Sequence, residues 1–350
     1  MTYLDLLILY CVHKFQGERS ISAVYHLFKG KRSSQTIQDL KLFGLGPLFA
    51  IFPGISKKTV EDSREKLLKA GFIADSDSIT NSGRDYLSKE WNEHSIPASL
   101  NGWKYSAQGR QFWSRLSLFV QTVSNLVGEN SRFLPITNNE KDLQWVKHFL
   151  LTQKISRKEL AASLYDELYS HLSGVSEKEA AVFTYRLSSK NRIGLTTRQL
   201  SEYFQTDAAF LELLFKNVLH SLLVKIENGS YSILSHLYQP SSERKTFTAS
   251  ALKTYEMIAN GKTIGQIAAA RKLKESTIED HVVEIALNDT DFDLSEFVTA
   301  EEMNEMINKI LLLQTKQLKK VKESLNHQFS YFQIRLAYAE MRRKNDEKSI

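Results

Sequence analysis

Gly261-Lys262-Thr263 sets glycine, lysine and a hydroxyl side chain in the order used by a phosphate-binding loop. Such a loop also needs a glycine five positions earlier and a strand leading into it. Glu256 stands at that position, and no strand pattern precedes it. Nor does the chain show the alternating strands and helices of a helicase motor's nucleotide-binding domains. The nine histidines are scattered, without metal-ligand spacing or a paired nucleophile. A single cysteine, Cys11, excludes an internal disulfide and a cysteine-based metal cluster and favours a cytoplasmic address. The expectation is a protein that is not an enzyme, with no cofactor, no metal and no small-molecule substrate.

Chemistry directed at phosphates is better represented. The net charge is +6, and residues 309–350 hold ten Lys or Arg against four Asp or Glu, while residues 1–308 hold 36 of each sign. Lys319, Lys320, Lys322, Arg342, Arg343 and Lys344 in that basic end could neutralise phosphates. A second set lies on or near the start of a helix after Pro53-Gly54: Ser56, Lys57, Lys58, Thr59, Ser63 and Arg64. A helix N-terminus itself attracts phosphate. A third set surrounds a tight turn, with Arg271, Lys272 and Lys274 suited to backbone and Ser276, Thr277 and His281 to base edges. Glu279, Asp280 and Glu284 share that helix, and residues 247–308 hold five basic against twelve acidic residues. That balance repels phosphate and favours protein contact for the module taken alone. Trp103, Trp113 and Trp145 could stack on bases, but their helical spacing points to core.

The elements that must position these groups read as mainly α. A hydrophobic fraction of 42% with 25% charged residues belongs to a folded globular chain. The apolar run Leu4 to Val12 is far shorter than the roughly 20 residues of a membrane span, so it reads as a core helix, with no membrane association expected. Residues 1–90 form a first module, with helices near 2–16, 20–29, 33–43 and from Ser56 to Ala70. Phe72-Ile73 and Ile79-Thr80 then pair across a polar turn as a hairpin, completing a winged-helix pattern. Residues 103–190 read as a helical middle region. Residues 191–238 repeat the winged-helix pattern, with a Thr196/Gln199 capping box, a helix from Asp207 to Leu219 and a hairpin from Leu223 to Leu234 turning at Asn228-Gly229. After a polar linker at 239–245, residues 247–344 form a helix-turn-helix domain with basic C-terminal helices. Capping boxes at Thr263/Gln266 and Ser276/Glu279 start helices near 264 and 277, and a third at Thr299/Glu302 opens a helix to about 322. A last helix runs from about 327 to 344.

The run from Gly261 to Val282, with its Ile-Ala, Arg, Leu, Ser-Thr-Ile and His positions, resembles the helix-turn-helix domain at the C-terminus of many RecQ-family helicases. Phe329-Ser-Tyr-Phe-Gln-Ile-Arg-Leu-Ala is similar to that domain's closing helix. Taken whole, the chain resembles the bacterial YpbB family of free-standing proteins linked genetically to a RecQ-type helicase. That resemblance implies a RecQ-like helicase as partner and a place in DNA repair or replication-fork maintenance, with DNA as the second partner. The helix-turn-helix pattern also admits a dimeric transcription regulator or a protein-interaction adaptor without DNA affinity.

Overall fold

A computed structural model of the protein describes residues 1–92, 94–239 and 247–347, the side chains of 344–347 excepted. Most of the linker expected at 239–245 lies outside the described residues, as does the side chain of Lys344. The chain is helical in the order α1 (Tyr3–Phe15), α2 (Ile21–Lys29), α3 (Ser34–Leu42), α4 (Lys57–Lys69), α5 (Asn81–Trp91), α6 (Gly102–Val127), α7 (Glu140–Thr152), α8 (Arg157–Leu172) and α9 (Glu177–Tyr185). It continues with α10 (Thr197–Phe204), α11 (Ala208–Glu227), α12 (Ile233–Leu237), α13 (Ala249–Ala259), α14 (Ile264–Arg271), α15 (Glu275–Asn288), α16 (Ala300–Leu313), α17 (Leu318–Ser324) and α18 (Tyr331–Glu347). No helix among the described residues is long and apolar enough to cross a membrane.

Neither expected hairpin wing forms. The first is reduced to one isolated antiparallel bridge, Ile73 to Ile79, with Ala74 N–H donating to Ser78 O and Thr80 N–H to Phe72 O. In the second, Leu222, Leu223 and Ile226 are buried at helical spacing and carry α11 on to Glu227. Asn228-Gly229 ends that helix: Gly229 takes φ +78°, and Gly229 N–H and Ser230 N–H bond to the carbonyls of Ile226 and Lys225. A dipeptide that suits a hairpin also suits a left-handed helix end, and the apolar period of the preceding residues decides which forms.

The chain divides into two units, each assembled from separated stretches. The first comprises 1–7, 47–51 and 86–241. Residues 103–190 and 191–238 share one apolar core here, in which Phe112, Leu116, Phe119, Phe183, Leu211 and Leu222 are buried. Its spine is α6, packed on α7, α8, α11 and α12. Gly102 opens α6 against the Phe49 carbonyl, so close that a Cβ would collide with it. The tryptophans are used for packing: Trp113 lies edge-on to Phe183 and Phe215, Trp145 stacks on Phe149, and Trp103 meets Phe49.

The second unit comprises 8–46, 52–85 and 242–350. At its centre is α15, packed on α3, α13, α14 and α18. Val282, Val283 and Ala286 join Met306, Ile310, Phe332, Ile334 and Leu336 in its main core. Ile267, Ala268 and Ile278 close the angle between α14 and α15.

Candidate nucleic-acid interface

The helix-turn-helix is formed by α13, α14 and α15. Gly261 takes φ +73°, with Gly261 N–H on Ile258 O and Lys262 N–H on Met257 O, so the Gly-Lys-Thr run ends α13 and does not cradle phosphate. Thr263 and Gln266 then cap α14 reciprocally, as their spacing predicts. The next expected box does not form. Lys272 turns left-handed at φ +52°, Leu273 N–H returns to Ala268 O, and the chain re-enters helix at Glu275 with Lys274 as N-cap. The start falls two residues before the predicted one, because this tight closure of α14 leaves Lys274 O to accept from Thr277 N–H.

Burial separates the predicted contact residues of this module. Lys272, Lys274 and Ser276 are exposed and Thr277 is half-buried. Arg271 is not available to phosphate: its guanidinium donates to Ser250 O at 2.9 Å, to Ser250 Oγ at 2.8 Å and to Thr254 Oγ1. His281 cannot face a base. It is 4% exposed, its Nδ1 lies 2.9 Å from Thr254 Oγ1, and burial, followed by the charge of Arg271, lowers its pKa. Glu284, on the same helix, is fully buried and accepts from Thr248 N–H at 2.5 Å and from Ser34 Oγ at 3.0 Å. Burial pushes its pKa up against those hydrogen bonds. A helix packed on several sides presents only its first turn to a groove.

In the N-terminal segment, Ser56 accepts from Thr59 N–H and caps α4 as predicted. Lys57 and Lys58 are exposed at that end, and Lys57 pairs loosely with Glu61 at 3.2 Å. Arg64 points elsewhere. It binds Asp77 at 2.5 Å and the Asp75 carbonyl at 2.9 Å, and Asp77 also accepts from Ile21 N–H at the start of α2. Arg64 therefore ties α4 to the 72–80 loop. The fold adds residues that sequence reasoning missed. Lys31, Lys29 and Lys57 all act on His26, lowering its pKa after the effect of burial. The end of α2 and the start of α4 thus share one basic patch around an imidazole, and the run Lys29-Gly-Lys-Arg was its visible signal.

The basic end is similarly divided. Lys319 and Lys320 are exposed on α17, the former 3.9 Å from Glu323, and Lys322 sits 4.5 Å from the Tyr331 ring centroid. Arg342 is half-buried and donates to the Lys41 carbonyl. Arg343 is buried and donates to the carbonyls of Ala286 at 3.1 Å, Asp289 at 2.7 Å and Phe292 at 3.1 Å. It caps the end of α15 and is no phosphate ligand. The single helix expected to reach about 322 breaks at Gln314, φ +46°, and the last helix begins only at Tyr331, after left-handed Asn326 and His327.

These features define a helical protein with a C-terminal helix-turn-helix, and a family described as a helix-turn-helix domain matches residues 250–338. Over its full length the chain is similar to Protein YpbB of Bacillus subtilis (strain 168), with 36% identity over 342 residues, 96% of this chain and 97% of that protein. The chain belongs to the YpbB family. No solved structure matches it.

Proposed function

We propose that the protein is a non-enzymatic accessory of a RecQ-like DNA helicase, acting in DNA repair or fork maintenance and binding DNA through the α2–α4 patch. The observation that carries the DNA contact is the convergence of Lys29, Lys31 and Lys57 on His26 beside the N-terminus of α4. The helicase partner rests on the resemblance of residues 261–282 to the helicase domain. Catalysis belongs to the helicase in this reading. The acidic, deeply packed helix-turn-helix is the surface assigned to it.

Fluorescence anisotropy of duplex, single-stranded and forked DNA at several salt concentrations tests the DNA contact. Combined Lys29→Ala, Lys31→Ala and Lys57→Ala substitution is expected to reduce the slope of log K against log salt by up to ~2.7, at ~0.9 for each phosphate no longer neutralised. An unchanged slope removes the patch from the interface. Titration calorimetry with a purified RecQ-type helicase tests the partner, and no heat at micromolar concentrations refutes that half. A protein-only adaptor is the second reading, favoured by the five basic against twelve acidic residues of 247–308. It predicts a helicase complex without DNA affinity.

A further inference from the structure

His26 lies in the last turn of α2, half-buried, with the Tyr25 ring 5.2 Å away between centroids. Lys29, three residues on, shares that side of the helix, and its ammonium donates to the Tyr25 hydroxyl at 2.8 Å. Gly30 then turns left-handed at φ +79°, and Lys31 N–H returns to the His26 carbonyl at 2.9 Å, which brings Lys31 back to the same turn. Lys57 comes from the start of α4, which packs on α2; its partner is the exposed Glu61 at 3.2 Å. The other helix packed on α2 is α3, whose buried Asp39 is held by Arg19 and Gln35. Among the described residues, the charges that bear on His26 are those of Lys31, Lys29 and Lys57, with no carboxylate among them.

Burial, then these three lysines, lowers the pKa of His26, so the imidazole is neutral in the free protein at pH 8. A phosphate at the patch acts in the opposite direction. It pairs with the lysines that oppose a proton on His26, and it adds a negative charge of its own nearby. We propose that DNA binding at the α2–α4 patch is coupled to uptake of a proton by His26, so that the patch holds DNA more tightly as pH falls from 8 to 6. This rests on the reading of that patch as the DNA contact and is independent of the helicase. The sign follows from linkage: the complex holds the proton more tightly than the free protein does. Affinity is therefore flat well above the pKa of His26 in the complex. It rises as pH falls through that value and levels off below the pKa of the free protein.

Fluorescence anisotropy of the full chain with duplex DNA bearing hydroxyl ends, whose phosphodiesters do not titrate in this range, would be measured at pH 6, 7 and 8 and at several salt concentrations. Each unit by which DNA raises the pKa of His26 adds up to about tenfold in affinity, so binding at pH 6 is expected to be at least about threefold tighter than at pH 8. The added cation should steepen the salt slope at pH 6 by up to ~0.9. His26→Gln is expected to keep the pH 8 affinity and to lose the gain at pH 6. His26→Lys, which carries a fixed charge, should hold at pH 8 the affinity that the wild type reaches at pH 6. Should His26→Gln unfold, the comparison of His26→Lys with the wild type at pH 8 still decides. A flat wild-type profile, or the same pH dependence in His26→Gln as in the wild type, overturns the proposal and leaves the DNA contact standing. Absence of DNA binding at every pH overturns the DNA contact and the proposal with it.

Discussion

Replacing Arg343 with methionine keeps most of the side-chain length and removes the guanidinium that closes the end of α15. That group is 7% exposed and donates to three carbonyls, of Ala286, Asp289 and Phe292. A hydrogen bond from a charged group contributes about 1.5–3 kcal/mol, and a buried acceptor left unpaired costs about 1–3 kcal/mol. The removed arginine carries its own desolvation cost, which offsets part of the sum, so the expected loss is about 3–5 kcal/mol. Urea unfolding of the full chain, followed by circular dichroism, measures it. Because the two units need not unfold together, the loss should appear in the transition of the unit containing α15. Arg343→Lys should recover less than half, since an ammonium cannot reproduce the planar fork. DNA binding by the folded fraction should keep its salt slope. A loss below about 1 kcal/mol, together with a slope reduced by ~0.9, would mean that Arg343 meets phosphate and that its capping role is mistaken.

His220 is buried, and its Nδ1 accepts the Asn101 backbone N–H at 3.0 Å; burial, then Lys216, lowers its pKa to about 3. Burial holds His171 at about 4. The unfolded chain binds these protons near pH 6.5 and the folded chain does not, so their stabilisation is complete above pH 6.5 and declines as pH falls toward 4 and 3. Each is expected to cost about 2 kcal/mol by pH 5, measured as the change in urea midpoint of the first unit, and a midpoint that does not move between pH 7.5 and 5 contradicts the burial argument. Glu284→Gln should change stability by less than about 1 kcal/mol, because the hydroxyls of Ser34 and Thr248 can turn to accept, whereas Glu284→Ala should cost about 2–4 kcal/mol in thermal unfolding. If Lys272 and Lys274 reach phosphate, their joint replacement by alanine should lower the DNA salt slope by up to ~1.8, and no change confines DNA binding to the α2–α4 patch.

Helix positions were legible in the sequence at most places where a capping residue met an apolar period, the Ser276/Glu279 pair being an exception. Ser56, Thr196, Thr263 and Thr299 all cap the helices expected of them. The Ser330/Gln333 pair, which exchanges hydrogen bonds before α18, carries the same signal and marks the true start of the last helix. The wings failed for a local reason: a short apolar pair around a polar turn, or an Asn-Gly step, has the same composition in a hairpin and at a helix end.

Charge was legible only as a count. That Lys29, Lys31 and Lys57 meet at one imidazole, and that Lys14 and Arg342 both bear on Lys316, depends on helix ends far apart in the chain being brought together. The identities of Arg64, Arg271 and Arg343 marked them as phosphate ligands just as strongly as Lys57. Only the tertiary structure shows their guanidinium groups held by Asp77, by Ser250 and Thr254, and by the carbonyls of α15. The sequence by itself determined that the chain is mainly helical and carries a helix-turn-helix, because capping and periodicity act over three or four residues. Which cations remain on the surface was decided by the fold, because desolvation and hydrogen-bond partners are set by whatever packs alongside.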